Sequence, residues 1–251
     1  LRSSSKILNE NFNFLDKDIL NFLKTINKSS LQLKLKENYF KNNQNKVLVI
    51  GEPILDIHSN VNVLGKSQKS NVVSTNLVKN EEYGGGTMLV ANVLKEFFSK
   101  VDILTFSNKF NEKIFRKHLN KKITLQKVFS SEEKIIVKKR FVDNYNKNKL
   151  FQINENEKNE LFPKSKKLYL AKLKKIIKNY DQVIVFDYGY GHLFEECLKF
   201  LKKHSKKVSI NCQTNSSNFG YNLVTKYEKA NIASVDETEF RLSVRNKHAS
   251  L

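Results

Sequence analysis

From Lys46 onward, short apolar runs alternate with longer amphipathic stretches. This alternation constrains the fold most, because strands separated by helices build βαβ units and a parallel sheet. It predicts strands over residues 46–50, 101–106, 182–187, 207–211 and 231–235. Helices are predicted over 87–98, 165–179, 193–204 and around 221–229. Residues 61–83 and 123–154 break the rule. They carry two-period segments such as Ile135-Ile136-Val137 and Leu150-Phe151-Gln152-Ile153, which suit antiparallel strands. These segments are expected to form a small sheet, a lid projecting over a site beside the main one. The fold class is therefore α/β, a mostly parallel sheet flanked by helices with a small antiparallel β lid.

Residues 1–45 read differently, being polar and rich in Asn and Lys. Ile19, Leu20, Phe22, Leu23 and Ile26 recur at helical spacing, with Asp16 placed to cap. A second helix is expected over 31–40. This part reads as a connector, and residues 46–251 as the principal domain.

Apolar runs such as Val47-Leu48-Val49-Ile50 fall far short of the roughly 20 residues that cross a bilayer, and the N-terminus carries no basic-then-apolar leader pattern. The expectation is a cytoplasmic protein without a membrane partner. Cys197 and Cys212 cannot make a disulfide framework, and no Cys or His pair has the spacing of a zinc site. The net charge of +20, from 45 Lys+Arg against 25 Asp+Glu, raises the question of nucleic acid. The excess is mostly Lys, spread along the chain beside many Asn, Ile and Phe, as an AT-rich coding sequence would produce. Nucleic acid is accordingly disfavoured as a partner; if it bound, a steep salt dependence would show it.

Gly84-Gly85-Gly86 directly precedes the predicted helix at 87–98. A glycine turn feeding a helix N-terminus lets backbone N–H groups approach a polar ligand, or is simply a flexible turn. The spaced glycines of a dinucleotide site are missing after the first strand, which continues Gly51-Glu52-Pro53-Ile54-Leu55-Asp56, so a Rossmann oxidoreductase is disfavoured. Asp56 and Asp187 are each placed where a parallel strand would end, the edge at which open α/β sheets hold ligands. A carboxylate there can accept sugar hydroxyls or cap a turn. Asp236, Glu237 and Glu239 follow another strand end. They could order hydrated Mg²⁺ near phosphates or form the acidic first turn of a helix. No role is assigned to any of the five histidines.

Together these pieces resemble the ribokinase-like (PfkB) sugar kinases over residues 46–251. The opening strand through Asp56 resembles the family's first strand with its sugar-binding aspartate. Glu82-Tyr83-Gly84-Gly85-Gly86 resembles its di-glycine motif, and Val235-Asp236-Glu237-Thr238-Glu239 its NxxE motif. VIVFDYGYG, residues 183–191, is similar to the strand and turn of heptose-phosphate kinases. Order and spacing are most similar to the heptose-7-phosphate kinase domain of bifunctional ADP-heptose synthases and relatives fused to a cytidylyltransferase-like domain. Leu1-Arg2-Ser3-Ser4-Ser5-Lys6-Ile7 is similar to a motif near the end of nucleotidylyltransferase domains, and reads equally as a serine-rich tail.

The resemblance implies transfer of a phosphoryl group from ATP, with Mg²⁺, to a sugar or sugar-phosphate hydroxyl. In it Asp56, Gly85 and Gly86 hold the sugar, Asp187 lines the site, and Asp236 with Glu239 orders Mg²⁺ and phosphates. Lys66, Lys69 and Arg140, on the lid segments, would meet a phosphate already on the substrate. A homodimer through the lid is implied as well. The catalytic base belongs to the family's GxGD segment and is expected beyond Leu251, so the chain is expected to be an inactive fragment of a larger kinase. There are departures. Leu89 stands near the position of an Asn, Tyr190 replaces a common Lys, Asn211-Cys212-Gln213 stands for Asp-Pro-Lys, and Asp236 replaces the NxxE Asn. A catalytically silent sugar-binding or regulatory module on the same fold is the alternative.

Overall fold

The computed structural model describes residues 17–25, 28–158 and 160–249. The residues resembling a nucleotidylyltransferase motif, 1–7, the capping Asp16 and the helix-ending Ile26 lie outside them. The chain separates between Asn43 and Gln44 into two units. The first holds helices α1 (Lys17–Thr25) and α2 (Lys28–Asn43).

The second unit opens with β1 (Lys46–Gly51), followed by β2 (Pro53–Lys66), β3 (Val73–Gly86) and α3 (Thr87–Leu94). It continues through β4 (Lys100–Ser107), α4 (Lys109–His118), β5 (Thr124–Phe129), β6 (Ile136–Asp143) and β7 (Lys149–Glu155). Then come α5 (Pro163–Ile176), β8 (Gln182–Asp187), α6 (Glu195–His204), β9 (Val208–Cys212), β10 (Ile232–Ser234) and α7 (Glu237–Ser243). Six strands form a wholly parallel sheet in the order β10-β9-β8-β1-β4-β5.

Both faces of this sheet are covered, which explains why its central strands read as unbroken apolar runs. Leu48 and Ile50 of β1 pack with Tyr169 and Leu173 of α5 and Cys197 and Leu201 of α6. Val47 and Val49 point the other way, onto Ala91 of α3, Val101 and Ile103. The α/β class with a mostly parallel sheet flanked by helices is thus the observed one.

The second sheet runs β3-β2-β6-β7. Three corrections to the sequence reading concern it and its surroundings. First, residues 124–129 are not lid: β5 pairs in parallel with β4 at the edge of the main sheet. As the edge strand of the main sheet it still packs on both sides, Val128 with the α5/α6 layer and Leu125 with the α3 layer. Second, the lid is antiparallel only at β2–β3 and β6–β7; β2 and β6 run parallel. That pairing is reached through a crossover containing α3, β4, α4 and β5, and is therefore compatible with parallel strands. Third, the expected helix at 221–229 is a short 3₁₀ turn at Val224–Lys226. The side chains that would line such a helix, Asn222, Lys226 and Tyr227, instead reach Asp187.

Helix α4 has no counterpart in the sequence reading. Asn108 caps it by accepting from Asn111 N at 2.9 Å, and Ile114 and Phe115 bury one face. Buried Asn111 accepts from Ile135 N and donates to the carbonyls of Phe106 and Glu133. These bonds fix the entry of β6 into the second sheet.

Candidate functional site

The site begins at the junction of the two sheets. Glu52, fully buried between β1 and β2, accepts N–H groups from Tyr188 (2.9 Å), Tyr190 (3.2 Å) and His192 (3.2 Å). Burial alone would raise its pKa, but the adjacent His192 imidazole and the backbone donors of Tyr188 and His192 hold it below the ordinary carboxylate value. One carboxylate thereby clamps the turn after β8 against the root of the lid. On the other side, Thr87 N donates to Glu52 O at 3.1 Å, and a Cβ at Gly86, whose φ is +57°, would collide with that same oxygen. Gly86 is a requirement of this close approach.

Register then assembles one face of the second sheet. Tyr83, Asp56 and Lys138 form a cross-strand row on β3, β2 and β6, and Glu81, His58 and Arg140 form the next. Arg140 Nη1 donates to Asp56 Oδ1 across this diagonal, with both side chains about four-fifths buried. Gly85 lies beside Ile54, and a Cβ there would run into Asp56 Oδ2. His58 meets the Tyr83 ring edge-on, with centroids 5.3 Å apart. Ile54 and Ile136 pack against Tyr190, with Tyr188 alongside. Burial pushes the Tyr188 hydroxyl up to about 12, and burial and the Glu157 carboxylate raise that of Tyr190, so both stay protonated donors near neutral pH.

Asp187, 1% exposed, terminates β8. Its oxygens accept from Gly189 N (2.9 Å), Asn222 Nδ2 (3.2 Å) and Tyr227 OH (2.6 Å) and pair with Lys226 Nζ at 2.5 Å. A cavity of about 700 Å³ opens here, lined among others by Glu160, Lys166, Asn218 and Lys226.

The architecture is shared with known sugar kinases. A carbohydrate kinase from Agrobacterium tumefaciens superposes with a TM-score of 0.56 at 15% identity, over 80% of this chain and 63% of that one. Phosphofructokinase-2 from Escherichia coli in complex with fructose-6-phosphate gives 0.59 at 7%, over 82% and 66%. Arabidopsis thaliana ribokinase with ribose and ATP gives 0.53 at 10%, over 82% and 65%. The fold is that of carbohydrate kinases. The chain spans less than two thirds of each of these structures. No family model matches the chain, and no curated protein does.

Against this frame the sequence-derived residues separate into groups. Asp56, Gly85, Gly86 and Arg140 come together. Asp56 is in the second sheet, not at the end of a parallel strand, because β2 starts at Pro53. Lys66 ends β2, ten residues beyond Asp56 and so roughly 30 Å along the strand at about 3.3 Å per residue; Lys69 follows in the hairpin loop. Neither lysine reaches Asp56 within the same chain. Asp187 stands at the predicted strand end, with its carboxylate committed to the fold. Asp236 and Glu239 form a capping box on α7: Asp236 Oδ1 accepts from Glu239 N (2.7 Å) and Glu239 Oε2 from Asp236 N (2.9 Å). Glu239 Oε1 takes Thr214 N at 3.0 Å. Both Glu239 oxygens are thus used by the backbone, which does not fit a direct metal ligand. Among the described residues no group of three or more His, Cys, Asp or Glu is placed to hold a metal ion.

Sequence reasoning gave no role to Glu52, Tyr83 or Lys138. The signal for Glu52 was present, as an isolated charge between Val47-Leu48-Val49-Ile50 and Pro53-Ile54-Leu55. Lys138 was hidden among the many lysines of the chain. Among the described residues no helix is long and apolar enough to cross a membrane.

Proposed function

We propose that this chain is the acceptor-binding part of an ATP-dependent kinase acting on a sugar or sugar-phosphate hydroxyl, heptose-phosphate-kinase-like, in a protein that also carries a nucleotidylyltransferase-like domain. The observation that carries this reading is Asp56, set against side-chain-free Gly85 and held by Arg140 on the face of the second sheet that meets Tyr188 and Tyr190. A carboxylate with one oxygen oriented by a guanidinium keeps its other lone pairs for hydroxyl donors. The bare backbone at Gly85 lets a ring approach closely. The pairing of Glu52 with the turn at residues 188–192 fixes the distance between lid root and sheet edge, which is the positioning such a transfer depends on.

Phosphoryl transfer draws its charge neutralisation from a Mg²⁺–ATP complex. No residue described here is assigned as its direct ligand or as the base. The test is ADP release with a panel of sugars and sugar phosphates, using the parent protein and its Asp56→Asn variant. Sugar-dependent turnover that is lost in the variant, with ATP binding retained, supports the reading; turnover indifferent to Asp56 rejects it.

A second reading, a sugar-binding module without transfer, is favoured by the Asp236–Glu239 capping box, which commits both residues to α7. Sugar binding without ADP release distinguishes it. The lid also exposes Leu64, Val73, Leu77 and Phe151, an apolar surface suited to a second copy of the chain. Sedimentation of wild type against Leu77→Glu tests that pairing: a dimer that the variant converts to monomer is the expected outcome.

A further inference from the structure

The face that carries Asp56 holds one cation for which the fold supplies no acceptor. Lys138 is 9% exposed, in register with Asp56 on β2 and Asn154 on β7. Among the described residues its ammonium makes no hydrogen bond and no ion pair; it lies 5.3 Å above the centroid of the Tyr190 ring. The carboxylates around it all have donors of their own. Asp56 takes Arg140, Glu52 takes three backbone N–H groups, Glu157 takes Tyr190 OH at 2.7 Å, and Glu81 takes Asn60 and Lys79. A lysine this enclosed, whose ammonium offers three donors and meets no protein acceptor, is costly to keep charged.

We propose that Lys138, with Arg140 as its second arm, is the subsite for an anionic group, a phosphate or a carboxylate, on the acceptor sugar. The proposal rests on the reading of Asp56 as the carboxylate that takes the acceptor's hydroxyls, and deepens it to an acidic acceptor.

The geometry supports an anion over a neutral sugar. Arg140 already shares its charge with Asp56, and a neutral ring would leave the Lys138 ammonium without a hydrogen-bond acceptor or a directly paired anion. An anion placed between Lys138 and Arg140 would satisfy the free ammonium and take the guanidinium N–H groups not used by Asp56. Burial holds the Lys138 pKa below the ordinary lysine value, with the Arg140 charge acting in the same sense and Glu157, Asp56 and Glu52 opposing. An arriving anion acts in the opposite sense and favours the charged form. The Tyr190 ring beneath closes one side, so approach is from the Asp56 side of the row.

The test is calorimetric titration of the full chain with two pairs of probes, ribose against ribose 5-phosphate and glucose against gluconate. Wild type, Lys138→Met and Lys138→Arg are compared. One charged member is expected to bind about tenfold or more tightly than its neutral partner, and which pair shows the gap separates phosphate from carboxylate. Lys138→Met should abolish the gap between the charged and neutral members of the pair, and Lys138→Arg should retain it. Neutral sugars binding in an Asp56-dependent manner with no such gap, or a gap that survives Lys138→Met, overturns this inference alone. Failure of every sugar to bind overturns it together with the proposed acceptor site. NMR of ¹³C-methylated lysines in the wild-type chain, with the Lys138 signal assigned from Lys138→Arg, does not depend on the folding of the Met variant. The charged probe should move the titration of that signal to higher pH, and an unmoved signal overturns the proposal.

Discussion

Arg140 on β6 reaches diagonally across the parallel β2–β6 pairing to hold Asp56, its donor entering from one register step further along the sheet. Only a parallel pairing with Asp56 opposite Lys138 puts His58 opposite Arg140 and leaves this diagonal open. The lid strand order therefore sets which oxygen of Asp56 is occupied and which is free.

Replacing Arg140 by Met should weaken acceptor binding by about 1.5–3 kcal/mol, the scale of a hydrogen bond to a charged group, while leaving ATP affinity unchanged. Asp56→Asn should weaken it comparably. In the double variant the losses should be less than additive, because the two residues act on the ligand as one unit. Calorimetry with the binding sugar checks this. Strict additivity would mean that Arg140 does not act through Asp56.

Gly85→Ala places a methyl group where Asp56 Oδ2 now lies. One of the two must move. Overpacking of this kind costs about 1–3 kcal/mol of stability. Since Asp56 is the more mobile party, sugar affinity should fall further than stability does. Urea unfolding and sugar titration of the same variant compare the two. A variant with wild-type affinity would place the sugar away from this strand pair.

Much of this arrangement was legible in the sequence because it depends on local chemistry. The apolar runs of β1, β4 and β8 announce strands buried on both faces, and Gly85 and Gly86 announce a close approach before a helix. What was not legible is long-range. Nothing near Asp56 indicates that β2 begins at Pro53 and pairs in parallel with a strand 80 residues later, so the residue was placed at the wrong sheet's edge. Asp187 was foreseen at the right strand end, but its commitment to Lys226 and Tyr227 comes from about 40 residues away. Residues 221–229 looked helical for the same reason: the tertiary partners of their polar side chains overrode local propensity.

Asp187 is predicted to act mainly on stability. Removing its charge leaves Lys226 without a counter-ion and weakens the bonds from Tyr227 and Gly189. Lys226 keeps some solvent contact, so the lower end of the range for breaking a buried pair applies, about 3 kcal/mol for Asp187→Asn. Tyr227→Phe, which removes one neutral donor to a carboxylate, should cost about 1.5 kcal/mol. Chemical denaturation of both variants gives these numbers. If Asp187→Asn unfolds like wild type yet loses sugar binding, the carboxylate faces the ligand and not the fold.

Glu52 makes stability depend on pH in a definite direction. Its pKa in the folded chain lies below the ordinary value of 4.5. The folded state therefore favours the charged form, and the resulting stabilisation is fully present above pH 4.5. It is lost as pH falls through the folded-state pKa, when the protonated carboxyl no longer matches the N–H groups of Tyr188, Tyr190 and His192. Glu52→Gln keeps the shape and one acceptor oxygen but not the charge, and should lower stability at neutral pH by about 2–3 kcal/mol. Since the variant has no group to titrate at that site, its deficit relative to wild type should shrink as the pH drops below 4.5. Thermal melts of the two proteins from neutral pH downward measure the difference directly. A deficit that stays constant through this range would show that Glu52 holds the turn by shape alone, and that its charge contributes nothing to the clamp between lid and sheet.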